Sequence, residues 1–125
     1  MPPRAKRSRS SGTSCFKGAS EVYIIERDPK PGDYPDSACE YILPESDIVI
    51  MTASAAINKT LPRLLELSKN AVSIIIGPTT PLCPELKALG IDRLSGMVVR
   101  DKATFEAWAT ASHGSPYKHG DVFMI

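Results

Sequence analysis

The segment from Gly77 to Pro84 carries the most distinctive candidate binding residues in the chain. It reads GPTTPLCP, holds three prolines and follows an apolar run that ends at Ile76. Because each proline fixes its own φ and restricts the residue before it, the loop is predicted to be stiff. A stiff loop that presents the hydroxyls of Thr79 and Thr80 loses little entropy when it holds a ligand. A binding wall is therefore one interpretation, and a purely structural turn is the other.

A second candidate loop, Thr52 to Thr60, consists mainly of small residues and is predicted to end where a helix begins. The free N–H groups and the dipole of a helix N-terminus favour an anion, and small side chains let a ligand approach the backbone. Asn58 and Thr60 add side-chain donors and acceptors. Thr60 is also a preferred helix-capping residue, so capping is the alternative role for it.

Two single positions are further candidates for ligand contact. Glu26 follows the apolar run that ends at Ile25, which is where a ribose-binding carboxylate stands in dinucleotide sites. No GxGxxG motif precedes Glu26, and a surface ion pair with Arg27 or Lys30 is an equal alternative. Gly96 permits either a close backbone approach or a β-bulge.

The remaining reactive side chains form no recognisable catalytic motif. Cys15, Cys39 and Cys83 are too few for a disulfide framework, and the latter two are predicted to be small buried side chains because neither has a neighbouring base in sequence. His113 and His119 lie in a segment with Gly and Pro, where solvated histidines are more common than metal ligands. Neither a nucleophile elbow nor a phosphate-binding GK[ST] loop occurs.

Short apolar runs recur along the chain with nearly constant spacing. Their starts, at residues 22, 48, 72, 97 and 122, lie 24 to 26 residues apart. β-Branched runs without polar alternation are typical of strands that are buried on both faces of a parallel sheet. The predicted strands are Val22 to Ile25, Ile48 to Met51, Val72 to Ile76, Met97 to Val99 and Val122 to Ile125.

Helical patterns fill the gaps between these strands, most clearly Leu61 to Lys69, for which Thr60 is the predicted N-cap. The other predicted helices are Ser37 to Leu43, Pro84 to Leu89 before Gly90, and a helix capped by Asp101 that runs to about Ser112. The predicted fold class is α/β, a Rossmann-like three-layer sandwich with a mostly parallel sheet. Ligands of such sheets bind beyond the carboxyl ends of the strands, where the candidate loops would lie.

Composition predicts one soluble domain. The chain has 125 residues, 42% of them hydrophobic, and we expect a disordered basic tail at residues 1–18 followed by a single domain at 19–125. No apolar stretch is long enough to span a bilayer, and no signal-peptide core occurs, so a cytoplasmic location is expected. The run PRAKRSR leaves a nuclear signal or a mitochondrial presequence as alternatives. Beyond residue 20 acids outnumber bases, which argues against nucleic acid as a partner.

Three stretches together resemble the heavy-metal chelation domain family: EVYIIERDPKPGDYP, ESDIVIMTASAAINKTLPRLLELS and IIIGPTTPLCPELKALGIDRLSGMVV. The resemblance covers about residues 19–125. It implies a Rossmann-like domain that usually follows a smaller domain similar to the N-terminal part of enolase, with a site between the two. The motif positions that carry over as ligand-binding residues are Glu26, Asn58, Thr60, Gly77, Pro78, Thr79, Thr80 and Gly96.

The chain departs from the family pattern at its start. Residues 1–18 supply neither an enolase-like domain nor the strand and glycine turn with which the family's Rossmann-like domain begins. The resemblance implies a role in handling a metal ion, with a divalent heavy metal as the candidate cofactor, or a metal-chelating small molecule. It leaves open whether the chain is an enzyme, and an enolase-like domain in trans or a second copy is the candidate partner. The alternatives are a non-catalytic or vestigial binding module and, by fold analogy, a nucleotide-dependent oxidoreductase.

Overall fold

A computed structural model of the chain describes residues 18–111 and 114–125. Cys15, Ser112, His113 and nearly all of the predicted basic tail lie outside these ranges. The chain divides into two compact units, one that ends at Ile42 and one that runs from Leu43 to Ile125. Within the described ranges, no helix has both the length and the apolar character needed to cross a membrane.

The first unit contains a short parallel pair of strands, β1 (Ile25–Glu26) and β2 (Tyr34–Pro35). The Tyr34 N–H donates to the Ile24 carbonyl at 2.8 Å, and a turn at Gly32 (φ +95°) joins the strands. The bounds predicted for the first strand, Val22 to Ile25, are therefore wrong. Strand β1 has only two residues, because its partner β2 is also only two residues long. A 3-10 helix (Asp36–Ala38) and α1 (Cys39–Ile42) follow, where one helix was predicted.

The second unit is built on a four-stranded sheet in the order β3-β4-β5-β6. Strands β3, β4 and β5 are parallel, and β6 is antiparallel to β5. This arrangement confirms the prediction of a Rossmann-like α/β fold with a mostly parallel sheet. The strands are β3 (Ile48–Thr52), β4 (Val72–Ile76), β5 (Arg93–Val99) and β6 (Gly120–Met124).

Helices connect these strands much as predicted. The prediction that Asp101 is a helix cap is confirmed, since its Oδ1 accepts from the N–H groups of Ala103 at 3.0 Å and Thr104 at 3.3 Å. Gly90, with a left-handed φ of +98°, ends the 3-10 helix Pro84–Leu89 as predicted. The helices are α2 (Ser54–Ile57), α3 (Leu61–Leu67) and α4 (Lys102–Ala111), with 3-10 helices at Leu43–Glu45, Pro84–Leu89 and Pro116–His119.

The core lies on one face of the four-stranded sheet. Val49, Met51, Ile75 and Leu94 are buried at alternating strand positions, and Ser73 is buried among them. The prediction that the strands are buried on both faces is wrong for β3 and β4, because the intervening residues are partly or largely exposed. We call this second face the open face. Its large exposed side chains are Ile48, Ile50, Val72, Ile76, Val99, Val122 and Met124.

Candidate functional site

The sheet brings two of the predicted loops together at the carboxyl ends of β3 and β4. Thr52 is in register with Ile76, and the Ala53 N–H donates to the Ile76 carbonyl at 3.0 Å. Gly77, the first residue after β4, has a φ of +129° that a side chain would strain. A Cβ placed on Gly77 would meet the backbone N and the Cβ of Ala53 at 3.8 Å, which is ordinary contact. The two loops therefore contact each other through the small residues Ala53 and Gly77.

Thr80 lies beside Gly77, and its side-chain hydroxyl makes no hydrogen bond to a described residue. Its side chain is only 5% exposed, and its Oγ1 has no hydrogen-bond partner among the residues that the structure describes. The hydroxyl lies 3.8 Å from the position of a Cβ on Gly77. Buried hydroxyls usually find a partner, because an unpaired one loses its hydrogen bonds to water without replacement. Thr79, by contrast, is exposed. The Thr80 hydroxyl is thus a buried group that has no hydrogen-bond partner among the described residues.

Gly96 allows the loop after β4 to lie against β5. A Cβ at this position would come within 2.5 Å of the Thr80 carbonyl oxygen and 3.2 Å of two Leu82 side-chain carbons. Close backbone approach, one of the two roles predicted for Gly96, is what the structure shows. A direct contact of Gly96 with a ligand stays a prediction.

The loop after β3 contains a short helix that the sequence analysis missed. Helix α2 is followed by Asn58 and by Lys59, which has a left-handed φ of +61°. The predicted capping role of Thr60 is wrong: its backbone is in the helical region instead of the extended one that an N-cap needs. Its hydroxyl instead donates to the Ala55 carbonyl at 3.3 Å. Asn58 and Lys59 have exposed side chains beside this turn.

A pair of hydroxyls at the end of β3 was also missed. The Thr52 and Ser54 hydroxyl oxygens lie 2.5 Å apart, and both residues are exposed. The signal in the sequence was a Thr-x-Ser pattern directly after a predicted strand. Their donors and acceptors add to those of the loops at the carboxyl ends of the strands.

Glu26 belongs to the first unit, where it ends β1 with an exposed side chain. The ion pair that was its alternative role is not formed, since among described residues Glu26 makes no salt bridge with Arg27 or Lys30. The Lys30 backbone N–H instead donates to Asp33 Oδ2 at 3.1 Å. An open cavity of about 320 Å³ lies here, lined by Ile24, Glu26, Asp28, Lys30 and Asp33.

A family model matches most of this sequence. The model of DUF364, a family described as "Putative heavy-metal chelation", covers residues 12–121. The chain belongs to the DUF364 family. The resemblance drawn from the three motif stretches is thereby confirmed at the level of the family.

Three longer proteins are similar to this chain, two of them solved structures from the DUF364 family. The chain resembles a crystal structure of a protein of unknown function from Desulfitobacterium hafniense, with 45% identity, a TM-score of 0.79, and coverage of 82% of this chain and 43% of that one. A second structure of unknown function, from Pyrococcus horikoshii, has 31% identity, a TM-score of 0.78, and coverage of 84% and 45%. An uncharacterized protein of Methanocaldococcus jannaschii is 34% identical over 86 residues, which is 65% of this chain and 33% of that protein. The chain therefore spans between a third and a half of these relatives.

The description of the DUF364 family implies metal ligands, but the described residues of this chain offer few grouped metal-binding side chains. Among residues 18–111 and 114–125, no three or more His, Cys, Asp and Glu side chains are grouped so that they would hold a metal ion. The carboxylates of the Glu26 cavity do not meet this condition either. The ring of His119 lies near that of Trp108, with centroids 6.3 Å apart and planes tilted by 38°. These residues do not fit a self-contained metal centre.

Cys83 has a neighbouring base in this DUF364 chain, contrary to the prediction. Its Sγ donates to Glu85 Oε2 at 2.8 Å. This hydrogen bond is the main cause that raises the pKa of the Cys83 thiol, and it lowers the pKa of the Glu85 carboxyl. Burial raises the pKa of the Cys39 thiol, with a smaller contribution from Asp36. Both thiols are therefore held in the protonated, weakly nucleophilic form.

Replacing Glu85 with glutamine is expected to make Cys83 more reactive. The neutral amide no longer favours the protonated thiol and can donate to the thiolate, so the pKa of Cys83 falls. We expect alkylation of Cys83 by iodoacetamide at pH 8 to accelerate roughly two- to fivefold, followed by mass spectrometry of the labelled peptide. Cys39 in the same sample is the internal control. Equal Cys83 rates in the two proteins would show that Glu85 does not set this pKa.

Proposed function

We propose that the chain binds a metal-chelating small molecule at the carboxyl ends of β3 and β4. We call this region the loop site and define it by Ala53, Asn58, Gly77, Thr79 and Thr80. The observation that carries the proposal is the buried Thr80 hydroxyl, which has no partner among the described residues and borders Gly77. A ligand that lies against Gly77 supplies the hydrogen bond that the protein leaves unmade.

The lining of the loop site favours an organic ligand over a bare ion. Ala53 and Gly77 allow a ligand to reach the backbone, and the donors nearby are hydroxyls and an amide instead of carboxylates. A hard or borderline divalent ion prefers charged or imidazole ligands, and the described residues offer no such cluster. In this proposal the metal is handled as part of a chelate, and the chain contacts the chelator.

The longer relatives support a site completed by further residues. The chain corresponds to 43–45% of the two solved DUF364 chains. We propose that an enolase-like domain or a second copy supplies the remaining contacts. Ligand binding by the chain alone is then expected to be weak and to depend on few hydrogen bonds.

A non-catalytic binding module is the second candidate function. It is favoured by the state of Cys83, whose thiol is held protonated by its hydrogen bond to Glu85. A nucleophile needs the opposite environment, one that stabilises the thiolate. Cys83 lies in the same loop as Thr79 and Thr80, so the most nucleophilic residue type near the loop site is unsuited to covalent catalysis.

The valine variants Thr79→Val and Thr80→Val test the loop site, because valine keeps the shape and removes the hydroxyl. We expect each variant to bind the 1:1 complex of Zn²⁺ with nitrilotriacetate about fivefold more weakly in calorimetry, the equivalent of one hydrogen bond of about 1 kcal/mol. The thermal midpoint of Thr80→Val should stay within a few degrees of wild type, since the lost hydroxyl had no partner among described residues.

Ser68→Ala is the matched control for the valine variants. Ser68 is 1% exposed, and its Oγ likewise has no partner among described residues. It lies at the end of α3 instead of in the two loops. A large fall in midpoint for Thr80→Val with unchanged binding would make its hydroxyl structural and contradict the proposed site.

Glu26 is tested separately with the metal alone. We expect elemental analysis of the purified chain to find bound divalent metal well below one equivalent, because the described donor set is sparse. Calorimetry with Zn²⁺ should then show weak binding that becomes at least about threefold weaker in Glu26→Ala, since a carboxylate that faces a cavity attracts cations. Unchanged binding in this variant would remove Glu26 from any metal-contacting role.

A further inference from the structure

Lys59 is the only charged residue in the two loops of the loop site, residues 52–60 and 77–84. None of the 14 acidic residues of the chain lies in these loops. The next charged residue after the second loop, Glu85, accepts the hydrogen bond from Cys83. The side chain of Lys59 is exposed and forms no ion pair or hydrogen bond with the described part of the chain. Within residues 18–111 and 114–125, its positive charge is therefore not neutralised.

The turn that carries Lys59 is fixed by backbone hydrogen bonds. The Lys59 N–H donates to the Ala56 carbonyl at 3.2 Å, and the Thr60 N–H donates to the Ala55 carbonyl at 3.0 Å. Lys59 has a φ of +61°, in the left-handed region that non-glycine residues seldom adopt. Strained positions of this kind cluster in ligand-binding segments. Because Lys59 directly follows Asn58, its charge belongs to a fixed segment of the loop site.

Hydroxyl donors lie in the same two loops. Thr52 and Ser54 stand on either side of Ala53 in the chain, and their hydroxyl oxygens share one hydrogen bond of 2.5 Å. Two hydroxyls have two protons, and the bond between them uses one, so one O–H group is left to donate to a ligand. Thr80 adds a hydroxyl that is buried and has no partner among the described residues. Hydroxyl and ammonium groups are donors that a carboxylate accepts.

We propose that the loop site selects chelators that carry a net negative charge, and that Lys59 sets this preference. This inference rests on the proposed loop site and names the class of its ligand. A carboxylate of the chelator accepts from the Thr52–Ser54 pair, and its charge is attracted by the Lys59 ammonium group. Because an exposed ion pair is screened by water and salt, Lys59 contributes a modest preference instead of most of the affinity. A free metal cation is repelled by the same charge.

Two zinc complexes of similar tripodal shape test this preference in calorimetry. Nitrilotriacetate has carboxylate arms and gives a complex of net negative charge, whereas tris(2-aminoethyl)amine has amine arms and gives a complex of net positive charge. We expect wild type to bind the nitrilotriacetate complex about tenfold more tightly than the amine complex. In Lys59→Gln, the nitrilotriacetate complex should bind about threefold more weakly, and the amine complex no more weakly. Binding of the nitrilotriacetate complex should also lose most of its dependence on salt between about 20 and 300 mM.

Lys69→Gln is the matched control, because it removes the same charge from an exposed residue after α3, outside the two loops. Lys59→Arg keeps the charge and should bind both complexes like wild type. Equal affinity of wild type for the two complexes would overturn the charge preference, and so would equal weakening in Lys59→Gln and Lys69→Gln. In either case, binding that is still weakened by Thr80→Val supports the loop site itself. If wild type binds neither complex, both the loop site and this inference fail.

Discussion

Replacing Gly96 with alanine is expected to destabilise the second unit by about 2 to 4 kcal/mol. The new Cβ would lie 2.5 Å from the Thr80 carbonyl oxygen, far inside van der Waals contact. Neither partner moves easily, because Gly96 lies within β5 and the loop is stiffened by Pro78 and Pro81. Urea unfolding followed by circular dichroism measures the loss, read from the midpoint at an unchanged m value.

The matched control for this variant is Gly18→Ala. No heavy atom lies within 4 Å of a Cβ built at Gly18, and its φ is not in the left-handed range. The stability of Gly18→Ala should therefore stay within about 0.5 kcal/mol of wild type. Similar stabilities for Gly18→Ala and Gly96→Ala would mean that the loop after β4 can move away from β5 at little cost.

Truncating Leu94 to alanine is expected to lower stability by about 3 kcal/mol. Leu94 is 0% exposed, and its strand has neighbours on both sides. Its backbone also exchanges two hydrogen bonds of 2.9 Å with Ile125, which hold it in place as the side chain is removed. A cavity is therefore left that the surroundings fill poorly. The thermal midpoint should fall by roughly 10 to 20 °C.

Val98→Ala is the control for the Leu94 variant, because it removes methyl groups from the same strand and the same face. Val98 is 50% exposed, so little apolar surface returns to water and no cavity forms. We expect its midpoint to fall by only a few degrees. Equal falls for Leu94→Ala and Val98→Ala would contradict the view that Leu94 belongs to the buried core of the sheet.

The sequence predicted strands well where a strand is apolar along its whole length. The run Val72 to Ile76 coincides with β4, and the run from Ile48 lacks only the terminal Thr52 of β3. Strand β5 begins four residues before the predicted run at Met97, because Arg93 and Ser95 interrupt the apolar pattern. Pairing with β4 and β6 makes these residues a strand, and pairing is not local information.

The sequence was enough to predict that the two loops lie side by side. It was not enough to predict the hydrogen bonds and burial of their side chains. Parallel strands end at the same edge of a sheet, so Ala53 and Gly77 had to be near each other. The capping role assigned to Thr60 failed because the tight turn after α2, which includes the left-handed Lys59, leaves Thr60 with a helical backbone. The approach of the Thr80 carbonyl to Gly96 is a contact between two different elements, which local sequence does not encode.

The contact between Gly96 and the Thr80 carbonyl also constrains how the sequence can change over evolution. The obstacle is a backbone oxygen, so no second side-chain substitution can make room for a Cβ at position 96. Leu82 differs, because its contact with that position is made by side-chain carbons and shrinks with a smaller residue. In DUF364 sequences that keep the spacing from β4 to β5, we expect position 96 to remain glycine and position 82 to vary. A lineage could acquire a side chain at position 96 only after an insertion or deletion had moved the loop.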